Sequence, residues 1–154
     1  MLKQRKKASV IFISLLSLLA SGCSNGFTKT DYHSTENMAK IADSYVEVNA
    51  VFHAIDGGYS FTASELDGRE TLWSDTVEEG QDVALNISLR LSKGMAKVVH
   101  VDSQGTVTTV IECLPETSTD GFVTQTVSQT SGKNRWKIVG YDCEDIDLQI
   151  LFDT

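Results

Sequence analysis

Residues 83–92 read "VALNISLRLS". Val83, Leu85, Ile87, Leu89 and Leu91 fall on alternate positions, with Ala84, Asn86, Ser88 and Arg90 between them. A helix at 3.6 residues per turn would scatter those five apolar side chains around its circumference, whereas a pleated strand puts them on one face. The stretch is a half-buried strand, and the face carrying Ile87 points into a core.

The same period of two recurs in both directions. Downstream, Lys93-Gly94 is a turn signal before "MAKVVHVD", and "DSQG" leads into "TVTTVIECL", with Ser103 to Gly105 between two β-branched runs as a hairpin signal. "FVTQTVSQT" follows, "SGKN" turns the chain, and "RWKIVGY" with "DIDLQILF" supplies a closing pair. Upstream, residues 71–77 form a weaker strand, and "GGYSFTASELDG" makes a hairpin with "YVEVNAVFHA" at residues 45–54. Pro115, the one proline, sits just past a strand, where its missing N–H interrupts no ladder. About eight or nine short strands with almost no helix predict an all-β fold, a two-sheet antiparallel β-sandwich, immunoglobulin-like or jelly-roll. Periodicity leaves the topology open. Residues 45–154 have the size of one domain with one core.

The N-terminus has a different grammar. Lys3, Arg5, Lys6 and Lys7 precede an uncharged stretch from Ala8 to Ala20. That run has roughly 13 residues, against the about 20 that a helix needs to span a bilayer core. A basic cluster followed by a short apolar run is the order of a signal peptide. Ala20, Ser21 and Gly22 then precede Cys23, and the segment resembles the lipobox of bacterial lipoproteins, with Leu19 just upstream. The resemblance covers residues 1–23, and it departs from the usual pattern in having Ala20 three positions before the cysteine. It implies that the signal, residues 1–22, is removed and that Cys23 receives a diacylglyceryl group, which anchors the protein to the membrane without spanning it. Two acyl chains suffice physically, since each buried methylene contributes about 0.8 kcal/mol and one chain alone is marginal. The alternative is an ordinary secretory signal that leaves Cys23 a free thiol. Residues 23–44, rich in Ser, Thr, Asn and Asp, read as a polar tether, with a short helix near residues 37–42 the one local feature.

The closing stretch "SGKNRWKIVGYDCEDIDLQILF" resembles the final strands of immunoglobulin-like and related sandwich modules on bacterial surface proteins. The mature chain as a whole resembles small lipoproteins of Gram-positive bacteria. Both resemblances imply the fold and an extracytoplasmic, envelope location, and neither supplies a catalytic residue.

Four of the 13 basic residues lie in the signal and all 21 acidic residues follow it, so the mature chain carries 9 basic residues and a net charge of −12. Such a surface repels phosphate backbones, which excludes nucleic acid as the expected partner and disfavours electrostatic docking to anionic lipid. No HExxH, Walker or GxGxxG pattern occurs, and His33, His53 and His100 are dispersed along the chain. They read as solvated strand-face histidines rather than an acid/base or metal set.

Cys113 and Cys143 lie outside any CxxC spacing, and the reading is open between a disulfide closing a loop of about 30 residues and two separate thiols. Acidic residues cluster in "YDCEDID". Asp142, Glu144, Asp145 and Asp147 are weak calcium candidates, since calcium takes six to eight oxygens and this run lacks EF-hand spacing. Aromatic rings are the remaining handle. Trp136 shares a face with Ile138 and reads as core, whereas Trp73, Tyr59 and Tyr141 are the candidates for contacting a ligand. The sequence thus predicts a binding module for a protein or glycan at the cell surface. A structural or assembly component of the envelope is the alternative, and a hydrolase a more distant one.

Overall fold

The computed structural model describes residues 26–118 and 121–153; the stretch read as a signal peptide and Cys23 lie outside them. Eight strands follow one another: β1 Ser44–Val48, β2 Val51–Ile55, β3 Gly58–Val77, β4 Gln81–Arg90, β5 Lys93–Val101, β6 Val107–Cys113, β7 Val123–Gln129 and β8 Gly132–Phe152. Every pairing is antiparallel. The protein is an all-β antiparallel sandwich, and its two layers share their two longest strands.

β3 and β8 pair from Gly58↔Leu151 to Val77↔Gly132. The free edge of β8 is divided, with β5 on residues 135–144 and β4 on residues 147–152. The free edge of β3 is divided in the same way, with β1 on residues 65–69 and β2 on residues 58–62. One layer therefore runs β2-β3-β8-β4-β7 and the other β1-β3-β8-β5-β6. The layers are the two halves of a single sheet folded over at a corner, a known way for strands to switch sheets through bulges.

The corner is built into the local backbone. The β3–β8 register slips between Leu66 and Gly68, and Asp142 and Asp145 take positive φ of 50° and 52°. Gly68 (φ 126°) and Gly94 (φ 83°) let strands approach there, since a β-carbon on either would lie 2.2 Å from a neighbouring carbonyl oxygen. This corrects the closing pair read from "RWKIVGY" and "DIDLQILF": the two segments belong to one continuous strand, β8, bent by bulges. Likewise residues 71–77 are the second half of β3, and residues 45–54 divide into β1 and β2 at Asn49, whose φ is 52°.

The core fills the space between the layers. Leu85, Ile87, Leu89 and Leu91 are buried on the face the alternation selects, against Leu148 and Ile150 of β8, Phe61 of β3 and Val98 and Ile111 of the opposite layer. The intervening Arg90 and Ser92 are exposed.

The polar stretch read as a tether is folded from residue 27 onward. Thr28 caps helix α1 (Lys29–His33) through a capping box with Asp31, and Ser34 caps α2 (Thr35–Ala39). Tyr32 and Met38 are buried from these helices onto Val99, Val101 and Val139, on the outer face of the β5–β8 layer. Tyr32 Oη donates to Glu112 Oε1 at 2.9 Å, and Lys97 Nζ lies 4.2 Å above the Tyr32 ring. Three cations from the sheet then hold carbonyls of the crossing chain. Arg135 reaches Ala39 O at 3.0 Å, Lys137 reaches Lys40 O at 2.7 Å and Arg69 reaches Ala42 O at 3.2 Å. Lys137 is fully buried and also pairs with Asp43 at 2.9 Å. These contacts are long-range in sequence, so no local period announces them. Among the described residues no helix is long and apolar enough to cross a membrane.

Candidate functional site

Because β3 and β8 fold back on themselves, residues 14 apart along β3 meet. Tyr59 and Trp73 stack with centroids 4.7 Å apart and planes 26° from parallel. Trp73 continues onto Trp136 of β8 at 5.0 Å and 12°, and Tyr59 onto Phe52 of β2 at 5.3 Å and 22°. Phe152 stands edge-on to both Tyr59 and Trp73 at 6.0 Å. The result is a row of stacked rings across the open end of the sandwich, opposite the corner. It runs from Trp136, 1% exposed, to Phe52, 36% exposed. Each such pair adds about 0.5–1.5 kcal/mol beyond its buried area.

Two of the three predicted ligand contacts, Tyr59 and Trp73, thus come together in one row. Tyr141 does not join them: it lies at the corner, in a separate cavity. Phe52 and Phe152 belong to the row but were not singled out by sequence, since their period-two positions look like any other strand residue. The one available signal was parity, which puts Phe52 opposite Phe61 and on the face of Tyr59. Trp136 is core, as its position beside Ile138 predicts.

Polar groups close the row from inside. His100, read as a solvated strand-face residue, is 1% exposed and rests against Trp136 at 4.9 Å. Its strand is covered on both faces, by the opposite layer and by the docked helices, so alternation no longer separates wet from dry. Asn134 donates to Thr130 O and Gly132 O, which leaves its Oδ1, 3.0 Å from His100 Nε2, as the acceptor. His100 therefore carries its proton on Nε2, and burial pushes its pKa down, keeping it neutral. Beside it Gln129 donates to Asp75 Oδ2 at 2.7 Å and accepts from Gln81 at 3.0 Å.

At the corner, a cavity of about 380 Å³ is lined by Phe27, Val46, Leu66, Tyr141 and Cys143 together with Glu65, Asp67, Asp142 and Glu144. The proposed calcium carboxylates do not converge there. Lys93 bridges Asp142 and Glu144 at 3.3 and 2.8 Å, Arg90 pairs with Asp147, and Ser92 donates to Asp145 at 2.8 Å. Among the described residues no three acidic, His or Cys side chains are grouped to hold a metal ion. Alternation along a bulged strand sends these carboxylates to different neighbours.

Cys113 and Cys143 are both buried and both free, so the disulfide alternative is corrected to two thiols. Cys143 Sγ donates to Met95 O at 2.8 Å, while Cys113 Sγ contacts Ser118 Oγ at 3.4 Å. Burial pushes the Cys143 thiol up to about 12, which keeps it protonated and unreactive.

One carboxyl pair is close. Glu70 of β3 is pushed up to about 7 by burial and then by the charge of Glu47 of β1, with Asp43 adding to the same effect. Glu47 and Glu70 lie on the paired strands β1 and β3. Their arrangement has a consequence for pH. Glu70 binds its proton more tightly folded than unfolded, so its stabilising contribution is complete below about pH 4.5 and is lost as pH rises through 7. Glu70→Gln should be more stable than the parent at pH 8 by about 1 kcal/mol, discounted for partial exposure, with the gain vanishing at pH 4.5. Urea unfolding at the two pH values measures this; a pH-independent difference would exclude the raised pKa of Glu70.

No family model matches the chain, and no curated protein matches it. Among solved structures it is similar to a carbohydrate-binding module from the lichenase 5A of Cellvibrio mixtus, solved with cellotriose, at 9% identity and a TM-score of 0.40, over 72% of this chain and 91% of that one. A point mutant of a family 29 carbohydrate-binding module gives 10% identity and a TM-score of 0.38, over 73% and 82%. The cumin domain of Drosophila melanogaster CENP-C gives 11% and 0.24, over 82% and 83%. The sandwich assignment rests on this chain's own strand pairing and core: an antiparallel β-sandwich with an aromatic row across its open end.

Proposed function

We propose that this chain is a lipid-anchored, extracytoplasmic β-sandwich module that binds a glycan at the cell surface through the aromatic row at its open end. The observation that carries this reading is the run Phe52–Tyr59–Trp73, whose successive planes lie within 26° of parallel and which reaches solvent at Phe52. The exposed ring of Phe52, backed by this stack at the end of a rigid scaffold, offers a flat surface to the apolar face of a sugar ring at little conformational cost. The strongly acidic remainder of the surface favours an uncharged or cationic ligand over an anionic polymer.

The row also sets which variant tests it. Trp73 is stacked on both faces, so Trp73→Ala should cost about 2–4 kcal/mol of stability and confound binding with folding. Phe52, at the exposed end, should cost under about 1.5 kcal/mol as Ala and still abolish binding to a cell-wall glycan array. Unchanged glycan binding by a folded Phe52→Ala domain would reject the row as the site.

A second reading has its own observation. Tyr45, Val46, Val48, Val51 and Phe52, all exposed, lie along β1 and β2, whose outer edge pairs with nothing among the described residues. Such an edge suits strand addition by an envelope protein, the mode of an assembly component. Retention of a deglycosylated envelope protein in the same assay would favour it over the glycan.

A further inference from the structure

We propose that a pocket on the outer face of the β5–β8 layer binds a carboxylate, held between Lys133 and Arg135 beside Ile41. The site is separate from the aromatic row and does not depend on the glycan reading. It follows from where the positive charge of this acidic chain is placed. Five of the nine basic residues after Cys23 lie on this one face. Lys133, Arg135 and Lys137 alternate along β8, while Arg69 of β3 and Lys97 of β5 are the cross-strand partners of Val139 on the same face.

Two of the five are matched by an acid. Lys137 pairs with Asp43, and Lys97 lies across from Glu112 of β6. Arg69 and Arg135 hydrogen-bond to carbonyl oxygens of the crossing chain, and Lys133 has no hydrogen bond or ion pair among the described residues. The carbonyl bonds do not use up the guanidinium donors. Arg135 spends Nη2 on Ala39 O, but its Nη1 is buried without a partner, and Arg69, itself only 8% exposed, leaves Nε in the same condition. A guanidinium carries five N–H donors and keeps its charge, so a buried donor left unpaired has lost water and gained nothing in return. An acceptor oxygen brought to Arg135 removes that penalty.

The pocket supplies the place. About 180 Å³ is bounded by Ile41, Asp102, Ser103, Lys133 and Arg135. Lys133 and Arg135 are two residues apart on β8, about 7 Å between Cα atoms, so both long side chains can converge on one anion with charge-assisted bonds. Ile41 is 84% exposed yet fixed in position, because Lys137 holds the carbonyl before it and Arg69 the carbonyl after it. It offers an apolar wall beside the cations. Asp102 is the opposing charge, and its carboxylate already accepts from Gln104 N and Thr106 N at 2.9 and 2.7 Å. The lining therefore carries one net positive charge, which a monoanion neutralises and a dianion over-compensates. The volume equals about six waters' share of the liquid, which suits a carboxylate on a short apolar stem.

The test is an NMR titration of the ¹⁵N-labelled full chain in detergent micelles, at constant ionic strength. Propanoate should give saturable shifts in the amides of Ser103, Lys133 and Arg135 in the millimolar range, and propanamide, its neutral counterpart, should give none. Lys133→Met alters an exposed side chain that bonds to nothing, so it should keep the fold's spectrum and weaken propanoate about ten-fold. Inorganic phosphate, dianionic at about pH 8, should bind more weakly than propanoate. Absence of saturable shifts in the parent chain, or affinity unchanged in Lys133→Met, would overturn the site. Equal shifts with propanamide would overturn recognition by charge, and tighter binding of phosphate would overturn the carboxylate as the ligand class.

Discussion

Ile87→Asp should leave the domain unfolded at neutral pH, whereas Ser88→Asp, one residue on, should cost under about 1 kcal/mol. Ile87 is fully buried, cross-strand from Ile150 of β8 on one side and Val123 of β7 on the other. The substitution removes about 1.5–3 kcal/mol of apolar burial and also places a carboxylate in the space between the layers, where no cation meets it. The buried charge adds several kcal/mol more, and the total approaches the 5–15 kcal/mol by which domains are ordinarily stable. Ser88 lies opposite Gln149 on the other face and is partly exposed, so a carboxylate there keeps its water. Near-UV circular dichroism and urea unfolding of the two variants measure the contrast; equal loss at both positions would mean that the layers do not face each other across β4.

Asp43→Ala should release the N-terminal segment. Asp43 accepts from Thr71 N and Thr71 Oγ1, both at 3.0 Å, and from Lys137 Nζ at 2.9 Å. Lys137 is completely enclosed, and burial already pulls its pKa below the usual lysine range against the pull of Asp43. With that partner gone, Lys137 must lose its proton or regain water, at a cost of about 3–5 kcal/mol for an uncompensated buried charge. Undocking residues 27–43 is the cheaper response than unfolding the sheet, because it hydrates Lys137, Arg69 and Arg135 together and leaves the inter-layer core intact. Hydrogen exchange should therefore speed up in residues 29–42 and on the outer face of β5, with little change in β4 and β7. Lys137→Met added to Asp43→Ala should restore part of the loss by removing the orphaned charge. Unchanged protection of residues 29–42 in Asp43→Ala would show that Tyr32 and Met38 hold the segment without the ion pair.

The alternation of residues 83–92 determined by itself which face of β4 lies inside, and together with the turn-separated strands around it that this chain builds an all-β core. Side chains on a pleated strand can sort only two ways, and the apolar set is unambiguous there. The same logic placed Trp136 in the core, while Trp73, Tyr59 and Tyr141 stood out as ring candidates without any indication that the first two touch and the third does not. What it did not determine were features that depend on a third neighbour. His100 alternates with apolar residues and reads as wet, yet the folded N-terminal segment covers Val99 and Val101 on the side that a two-layer sandwich leaves to solvent, and His100 faces inward onto Trp136. "GYDCED" reads as a turn because Asp at positive φ serves turns and bulges alike, and only pairing with β3 across both halves of β8 distinguishes the two. The aromatic row joins residues that are neighbours only after β3 and β8 fold over the corner. Local sequence fixes the period and the face; the corner, the docked segment and the stacked rings arise from contacts between residues up to about a hundred positions apart, which no local period encodes.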